Sequence, residues 1–213
     1  MAEPDLAALD DQQRATFWTG AIVRNGMLLD VTLRSILRSL GRRHPADPVE
    51  GEPAEFEALL RSVASGIQER FGAEHEQLAH DIGEALEESG SVHRSGIGVL
   101  DALWGVLEHS DAFQVIDLLP TDPERRAPAV RITDDEFRAL RRAQVRAYLR
   151  LGGVEKLVRH ASYDAPFDTE NDGIRRRAQV RGEFEVRSDG ALVFHDGTAV
   201  EHAVIRENAT NEG

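Results

Sequence analysis

The sequence predicts a mainly α fold: a four- to five-helix bundle followed by a small C-terminal antiparallel β-hairpin or meander. Two observations predict it. Up to about residue 160, apolar residues recur at steps of three and four, which places them on one face of a helix. Near residue 176 the spacing changes to two, which places apolar residues on one face of a strand. The expected domains are a helical bundle over 1–161 and, over 162–213, a linker with a small β appendage and a frayed tail.

The first helix is predicted over 11–41, with Asp10 or Asp11 as its N-cap and Gly41 as its stop. One stripe, apolar except for Asn25, comprises Trp18, Ile22, Asn25, Leu29, Leu33, Ile36 and Leu40. A second apolar arc comprises Phe17, Ala21, Leu28, Val31 and Leu37. A helix that is apolar over more than its core-facing third is usually covered on two sides. We therefore expect it at the centre of the bundle or at a subunit interface of a two-fold homodimer. Cover of the second arc by the C-terminal meander is the competing explanation.

Two further helices are predicted from a proline near the start of one and glycines near the ends. The second begins near Pro53 and is closed by Gly72, and the third covers about 74–89. Because residues 90–96 contain two glycines and two serines, we expect a loop there, before a fourth helix over about 97–108. Residues 109–132 favour a short strand or a helical turn, followed by a loop and an extended segment.

A capping box introduces the last predicted helix. Thr133 and Glu136 have the Thr-x-x-Glu spacing in which side chain and backbone cap each other. We expect this helix to stop at Gly152-Gly153, with 154–160 as an extension after a break. Residues 162–174 are expected to form a polar linker, and two turns, Ser188-Asp189-Gly190 and Asp196-Gly197, join the strands of the meander.

Composition excludes several classes of chemistry. The chain has 213 residues, a net charge of −13 and no cysteine, so disulfides, cysteine-ligated zinc, iron–sulfur clusters and thiol catalysis are excluded. Its single lysine, Lys156, does not follow glycine, which excludes a Gly-Lys-Ser/Thr phosphate loop. No apolar run reaches the ~18–20 residues of a membrane span, and the N-terminus is acidic rather than basic. We expect a soluble, cytoplasmic protein without a cofactor.

Residues 11–160 resemble the HEPN-type helical bundles, the higher-eukaryote and prokaryote nucleotide-binding family. The resemblance is carried by segments 29–37, 94–104 and 131–136. In that family an Arg, a following polar residue and a His a few positions on form a ribonuclease motif, often with a Trp soon after. Arg94-Ser95 and Trp104 match, but Asp101 stands in the place of the His, and His93 precedes the Arg. This departure implies a catalytically inactive member.

The candidate catalytic residues are His93 and Arg94. Metal-independent RNA cleavage needs a base with a pKa near neutrality and a cation for the phosphate, and a His–Arg pair supplies both. An exposed polar loop is the plainer interpretation of the same residues. His75 and His80 are five residues apart, one more than the zincin spacing, so no metal site is predicted.

Candidate binding residues form a stripe of four arginines at every fourth position, Arg138, Arg142, Arg146 and Arg150. The stripe fits an anion or RNA groove or an acidic partner, and it equally fits a solvated helix face. RNA binding is disfavoured because residues 1–120 hold 21 acidic and 9 basic residues, which would repel phosphate. The leading hypothesis is a non-catalytic interaction or accessory protein that binds a protein partner or a second copy of itself. The alternative is a HEPN-like metal-independent ribonuclease that uses His93 and Arg94.

Overall fold

The computed structural model describes residues 8–41, 55–72, 75–108, 132–162, 172–187, 191–195 and 197–201. Within these ranges lie the helices α1 (Asp11–Gly41), α2 (Phe56–Phe71), α3 (Glu76–Glu108), α4 (Asp134–Ser162) and α5 (Asp172–Arg181). The strands β1 (Phe184–Val186), β2 (Ala191–Phe194) and β3 (Ala199–Glu201) form an antiparallel sheet in the order β1-β2-β3. The mainly α fold with a small C-terminal antiparallel sheet is confirmed. The expected elements within 109–131 lie outside the described residues.

Helix α1 is the centre of the bundle, since it contacts α2, α3 and α4. Trp18 stacks on Phe137 of α4 at 5.0 Å between ring centroids, and the Ser35 hydroxyl donates to Glu155 Oε1 at 2.5 Å. These two contacts occur in the same chain order on both helices, so α1 and α4 run parallel. Leu29, Leu33 and Ile36 have no exposed surface, and part of the second apolar arc packs against the same core.

Reciprocal caps fix the starts of α1 and α4. The Gln13 backbone N–H donates to Asp10 Oδ1 at 2.7 Å, while the Asp10 N–H donates to Gln13 Oε1 at 3.1 Å. At α4, the Glu136 N–H donates to Thr133 Oγ1 at 3.2 Å and the Thr133 N–H donates to Glu136 Oε2 at 2.8 Å. Each pair satisfies two backbone groups that a helix start otherwise leaves without partners. The predicted capping box is confirmed, and Asp10 is the N-cap of α1.

The loop expected over 90–96 is wrong, because α3 is one continuous helix through this segment. The two glycines of the segment lie at close contacts between helices. A Cβ atom on Gly90 would lie 3.0 Å from Leu60 Cδ1, and one on Gly96 would lie 3.3 Å from Gln144 Nε2. A glycine inside a helix costs about 1 kcal/mol relative to alanine, and close packing of neighbouring helices offsets that cost. His93 and Arg94 consequently lie in the middle of a helix and not in a loop.

The stop expected at Gly152-Gly153 is also wrong, since α4 continues to Ser162. A Cβ atom on Gly153 would lie 3.2 Å from both the carbonyl oxygen of Arg176 and the backbone nitrogen of Val180. Gly153 therefore allows α5 to pack directly against α4. Here the absence of a side chain serves a contact between helices rather than a helix end.

Helix α5 replaces the end of the expected linker and the start of the expected β region. Its own composition is strongly polar, but Val180 is fully buried in the main core. Gln179 Nε2 donates to the Leu149 carbonyl oxygen at 2.5 Å, and Gly182 ends the helix with a φ of 73°. Val180 and Gln179 both contact α4. Packing against α4, rather than the local sequence, therefore determines that this segment is helical.

The sheet packs on α4 through a second apolar cluster. This cluster comprises Val145, Leu149, Phe184, Leu192 and Phe194. The apolar contacts of the described strands are thus with α4, which gives no support to the competing explanation in which the meander covers the second arc of α1. None of the helices in the described ranges combines the length and the apolar character that crossing a membrane requires.

Candidate functional site

A groove of about 360 Å³ lies between α1 and α3, beside the start of α2. Met27 and Val31 of α1 form one wall, and Ile97 of α3 forms the other. Phe56 of α2 and Gln144 of α4 also contribute to the lining. The helices that pack against α1 thus leave one side of it without a covering element among the described residues.

Exposed apolar side chains concentrate along this groove. Val23, Met27, Val31 and Ile97 are 44%, 63%, 61% and 46% exposed, and they are four of the six large apolar residues that are exposed in the described parts of the chain. Single exposed apolar residues are ordinary, whereas a contiguous group is typical of an interaction site. Val31 belongs to the second apolar arc that the sequence singles out, and Ile97 is the first apolar residue of the helix predicted over 97–108, but Val23 and Met27 belong to neither arc of α1. Their spacing of four residues on α1 is the signal that could have found Val23 and Met27.

His93 lines the groove as a neutral, stacked ring rather than a charged group. Its imidazole stacks on the Phe56 ring at 3.8 Å between centroids, with 14° between the planes. Burial lowers the pKa of His93 below its usual value, Arg94 lowers it further, and the carboxylates of Glu57 and Asp30 oppose the shift. A lowered pKa keeps the imidazole neutral at pH 7.

Arg94 is directed to a different neighbour. Its Nη1 lies 2.9 Å from Glu57 Oε1, and its side chain is 61% exposed. Successive residues on a helix point about 100° apart, and Arg94 does not line the groove. The two candidate catalytic residues are neighbours in sequence, but the structure does not direct them to a common point.

Two buried amides lie near the groove on the α1–α4 side. Gln144 is 1% exposed, and its Nε2 donates to the Ile22 carbonyl oxygen at 3.3 Å. Its Oε1, and both amide atoms of Asn25, find no hydrogen-bond partner within the described part of the chain. Gln144 was missed by the sequence reasoning, although it continues the apolar spacing of Leu140 and Ala147 on α4. A polar residue at a core position was the available signal.

The arginine stripe of α4 divides into two pairs. Arg138 and Arg142 are exposed. Arg146 Nη2 donates to the Gly182 carbonyl oxygen at 3.2 Å, and its guanidinium lies 5.5 Å from the centroid of Phe184. Arg150 is buried, so the solvated helix face expected for the stripe does not extend to this residue.

Arg150 joins three elements. Its Nε donates to the Val180 carbonyl oxygen at 2.6 Å, and its Nη1 forms an ion pair with Glu88 of α3. Arg146 Nε also approaches Glu88 Oε1 at 3.4 Å. These two arginines hold α4 to its neighbours, which leaves Arg138 and Arg142 as the members of the stripe open to a ligand.

No group of three or more His, Asp or Glu side chains is placed to hold a metal ion in the described ranges. His80 lies 3.7 Å from Glu84 in an exposed pair on α3. Comparison of the chain with protein-family models, with curated proteins and with solved structures finds no significant match. The resemblance to HEPN-type bundles therefore stays a prediction, and the functional argument rests on the geometry of the groove.

Proposed function

We propose that the protein is a non-catalytic helical interaction protein, an accessory factor or a subunit, that docks another polypeptide along the outer face of α1 and the groove beside it. The observation that carries the proposal is the continuous exposed stripe of Val23, Met27 and Val31 with Ile97 across the groove. Apolar anchors at steps of three and four on a groove wall are typical of surfaces that receive an amphipathic helix.

The energetics favour a covered stripe. Complete burial of a fully exposed valine or methionine side chain is worth about 1.5–3 kcal/mol, and the side chains of this stripe, which are 44–63% exposed, can gain about half of that. The neutral His93, stacked on Phe56, adds no charge to the groove, and the Asp30 carboxylate that also lines it is paired with Arg34. Met27 is unbranched and adapts its shape to the surface that covers it.

A photo-crosslinking amino acid at position 31, in the full chain, tests the proposal in an extract of the cells that make the protein. We expect it to crosslink to a polypeptide, and we expect the second change Met27→Asp to remove the crosslink. The matched control places the same amino acid at position 64, since Ala64 is exposed on α2, away from the groove. Equal crosslinking from positions 31 and 64, or none from position 31, would contradict the proposal.

The geometry gives the ribonuclease alternative less support. A base and a cation must act on the same phosphate, whereas His93 lies against Phe56 and Arg94 is paired with Glu57. The groove that His93 does line is walled mainly by apolar side chains. We therefore keep cleavage of RNA as a test with an expected negative result.

A further inference from the structure

We infer that the polypeptide docked on α1 is a second copy of this chain, in an antiparallel pair of α1 helices whose two-fold axis passes beside Met27. The inference rests on the proposed function, because it names the occupant of the same surface. In such a pair, the residue n positions before Met27 faces the residue n positions after it in the second copy. The exposed surface of α1 fits this rule in its apolar residues, its charges and its glycines.

The apolar residues are symmetric about Met27. Val23 and Val31 lie four residues before and four residues after it, and all three side chains are exposed on one stripe. A two-fold axis at Met27 places Val23 of each copy against Val31 of the other and Met27 against itself. Each copy thereby covers the stripe of the other copy, which no other described element does.

The charges nearest to the axis are opposite in sign. Arg24 and Asp30 lie three residues before and three residues after Met27, so each Arg24 faces the other copy's Asp30. Asp30 already accepts hydrogen bonds from Arg34 Nε at 2.7 Å and Nη2 at 3.2 Å. A carboxylate has about four acceptor positions, so it accepts a further guanidinium N–H. A parallel pair in the same register would instead place Arg24 against Arg24.

Glycines on α1 leave room for the α1 helix of the second copy to approach closely. A Cβ atom on Gly20 or on Gly26 would meet nothing within 4 Å, so the backbone is open at both positions. Gly20 and Arg34 lie seven residues before and seven residues after Met27, and the open glycine leaves space for the longer side chain of the other copy. Helix α1 has 31 residues and is about 46 Å long. An interface of ordinary size buries about 800 Å² per partner, so the pair would need contacts along much of this length.

Engineered disulfides test the pairing and its direction, because the natural chain contains no cysteine. Under mild oxidation we expect Met27→Cys to give a covalent dimer of about twice 23.6 kDa. We expect Val23→Cys and Val31→Cys to crosslink when mixed but neither to crosslink with itself. The matched control is Ala64→Cys on the exposed face of α2, for which we expect no dimer.

A charge exchange tests the Arg24–Asp30 register. Arg24→Asp alone places two carboxylates opposite each other, and Asp30→Arg alone places two guanidinium groups opposite each other. We expect each single variant to raise the dissociation constant in sedimentation roughly ten-fold. A mixture of the two variants restores opposite charges at both positions, so we expect it to associate as the natural chain does. Restored association also shows that neither variant is merely unfolded.

Three results would overturn the second copy as the occupant. They are a chain that sediments as a monomer at about 100 μM, a Val23→Cys variant that crosslinks to itself as in a parallel pair, and single charge variants that associate unchanged. A crosslink from position 31 to a different polypeptide would overturn self-pairing and leave the proposed function standing. A crosslink from position 31 only to residues 109–131 of the same chain would overturn both.

Discussion

The imidazole of His93 lies flat on the ring of Phe56, with 3.8 Å between the ring centroids. This contact joins the first residue of α2 to the middle of α3, and both rings line the groove. Because the stacked imidazole is partly withdrawn from water, its protonation state is coupled to the structure of the groove.

We expect the stability of the protein to fall as the pH falls below about 6.5, with His93 as one cause. The pKa of His93 is lowered by burial in the folded chain, so between the folded and unfolded pKa values the unfolded chain binds more protons. The contribution of His93 to the free energy of unfolding is fully present above its pKa in the unfolded chain, and it is lost as the pH falls through its pKa in the folded chain. Urea unfolding at several pH values between 5 and 8 measures this. We expect the free energy of unfolding to depend less steeply on pH in His93→Gln than in the natural chain.

Removal of the stacked ring provides the matched control for that titration. Phe56→Ala exposes the imidazole, so we expect the pKa of His93 to rise toward its usual value. The His93 Hε1 resonance, followed by NMR against pH, measures this directly. Asp30, Glu57 and Arg94, the charged groups that act on this imidazole, stay in place in the variant. An unchanged midpoint would show that Phe56 does not cause the burial.

Two adjacent glycines of α4 should respond in opposite ways to alanine. A Cβ atom on Gly152 would lie 3.6 Å from Gln179 Nε2, an ordinary contact, so Gly152→Ala should raise the free energy of unfolding by about 0.5–1 kcal/mol. A Cβ atom on Gly153 would meet the backbone of α5 at 3.2 Å. Overpacking costs about 1–3 kcal/mol, so Gly153→Ala should lower the free energy of unfolding by about 1 kcal/mol.

Chemical denaturation of both glycine variants at one pH gives the comparison. Because both variants gain the same helix propensity, their difference isolates the contact between α4 and α5. Equal stabilisation by the two substitutions would contradict the close packing of Gly153 against α5.

Arginines at the two ends of the α4 stripe should differ sharply in their effect on stability. Arg150→Ala leaves the Val180 carbonyl oxygen and the Glu88 carboxylate without their buried partner, and we expect it to lower the free energy of unfolding by about 2–4 kcal/mol. Arg138 is exposed, so Arg138→Ala should change it by less than about 0.5 kcal/mol. Thermal unfolding of the two variants checks the prediction, and equal losses would contradict it.

We expect the purified natural chain not to cleave RNA in the presence of EDTA. Gel analysis of a labelled single-stranded RNA provides the measurement, with His93→Gln and Arg94→Ala prepared in parallel. Cleavage by the natural chain that both substitutions abolish, while circular dichroism shows unchanged helical content, would favour the ribonuclease alternative over the interaction protein.

Elements whose signals are local were predictable from the sequence alone. The stripe of α1 repeats over 31 residues, and the caps at Asp10 and Thr133 depend only on residues three positions away. The alternation of Phe184 and Val186 likewise predicts a strand within its own length. The composition itself also removes cysteine chemistry, independently of any fold. For the caps and the strand, the interactions that determine the structure lie within one turn of helix or within one strand.

The tertiary structure decided the remainder, because the determining contacts come from distant parts of the chain. Gly96 and Gly153 are helix breakers by local propensity, yet the packing of Gln144 against one and of α5 against the other outweighs a local cost of about 1 kcal/mol. Helix α5 forms on α4, and Arg150 is buried because Glu88 and Val180 lie beside it. The groove has the same origin: Met27 and Ile97 are 70 positions apart, and only the packing of α3 beside α1 makes them two walls of one surface.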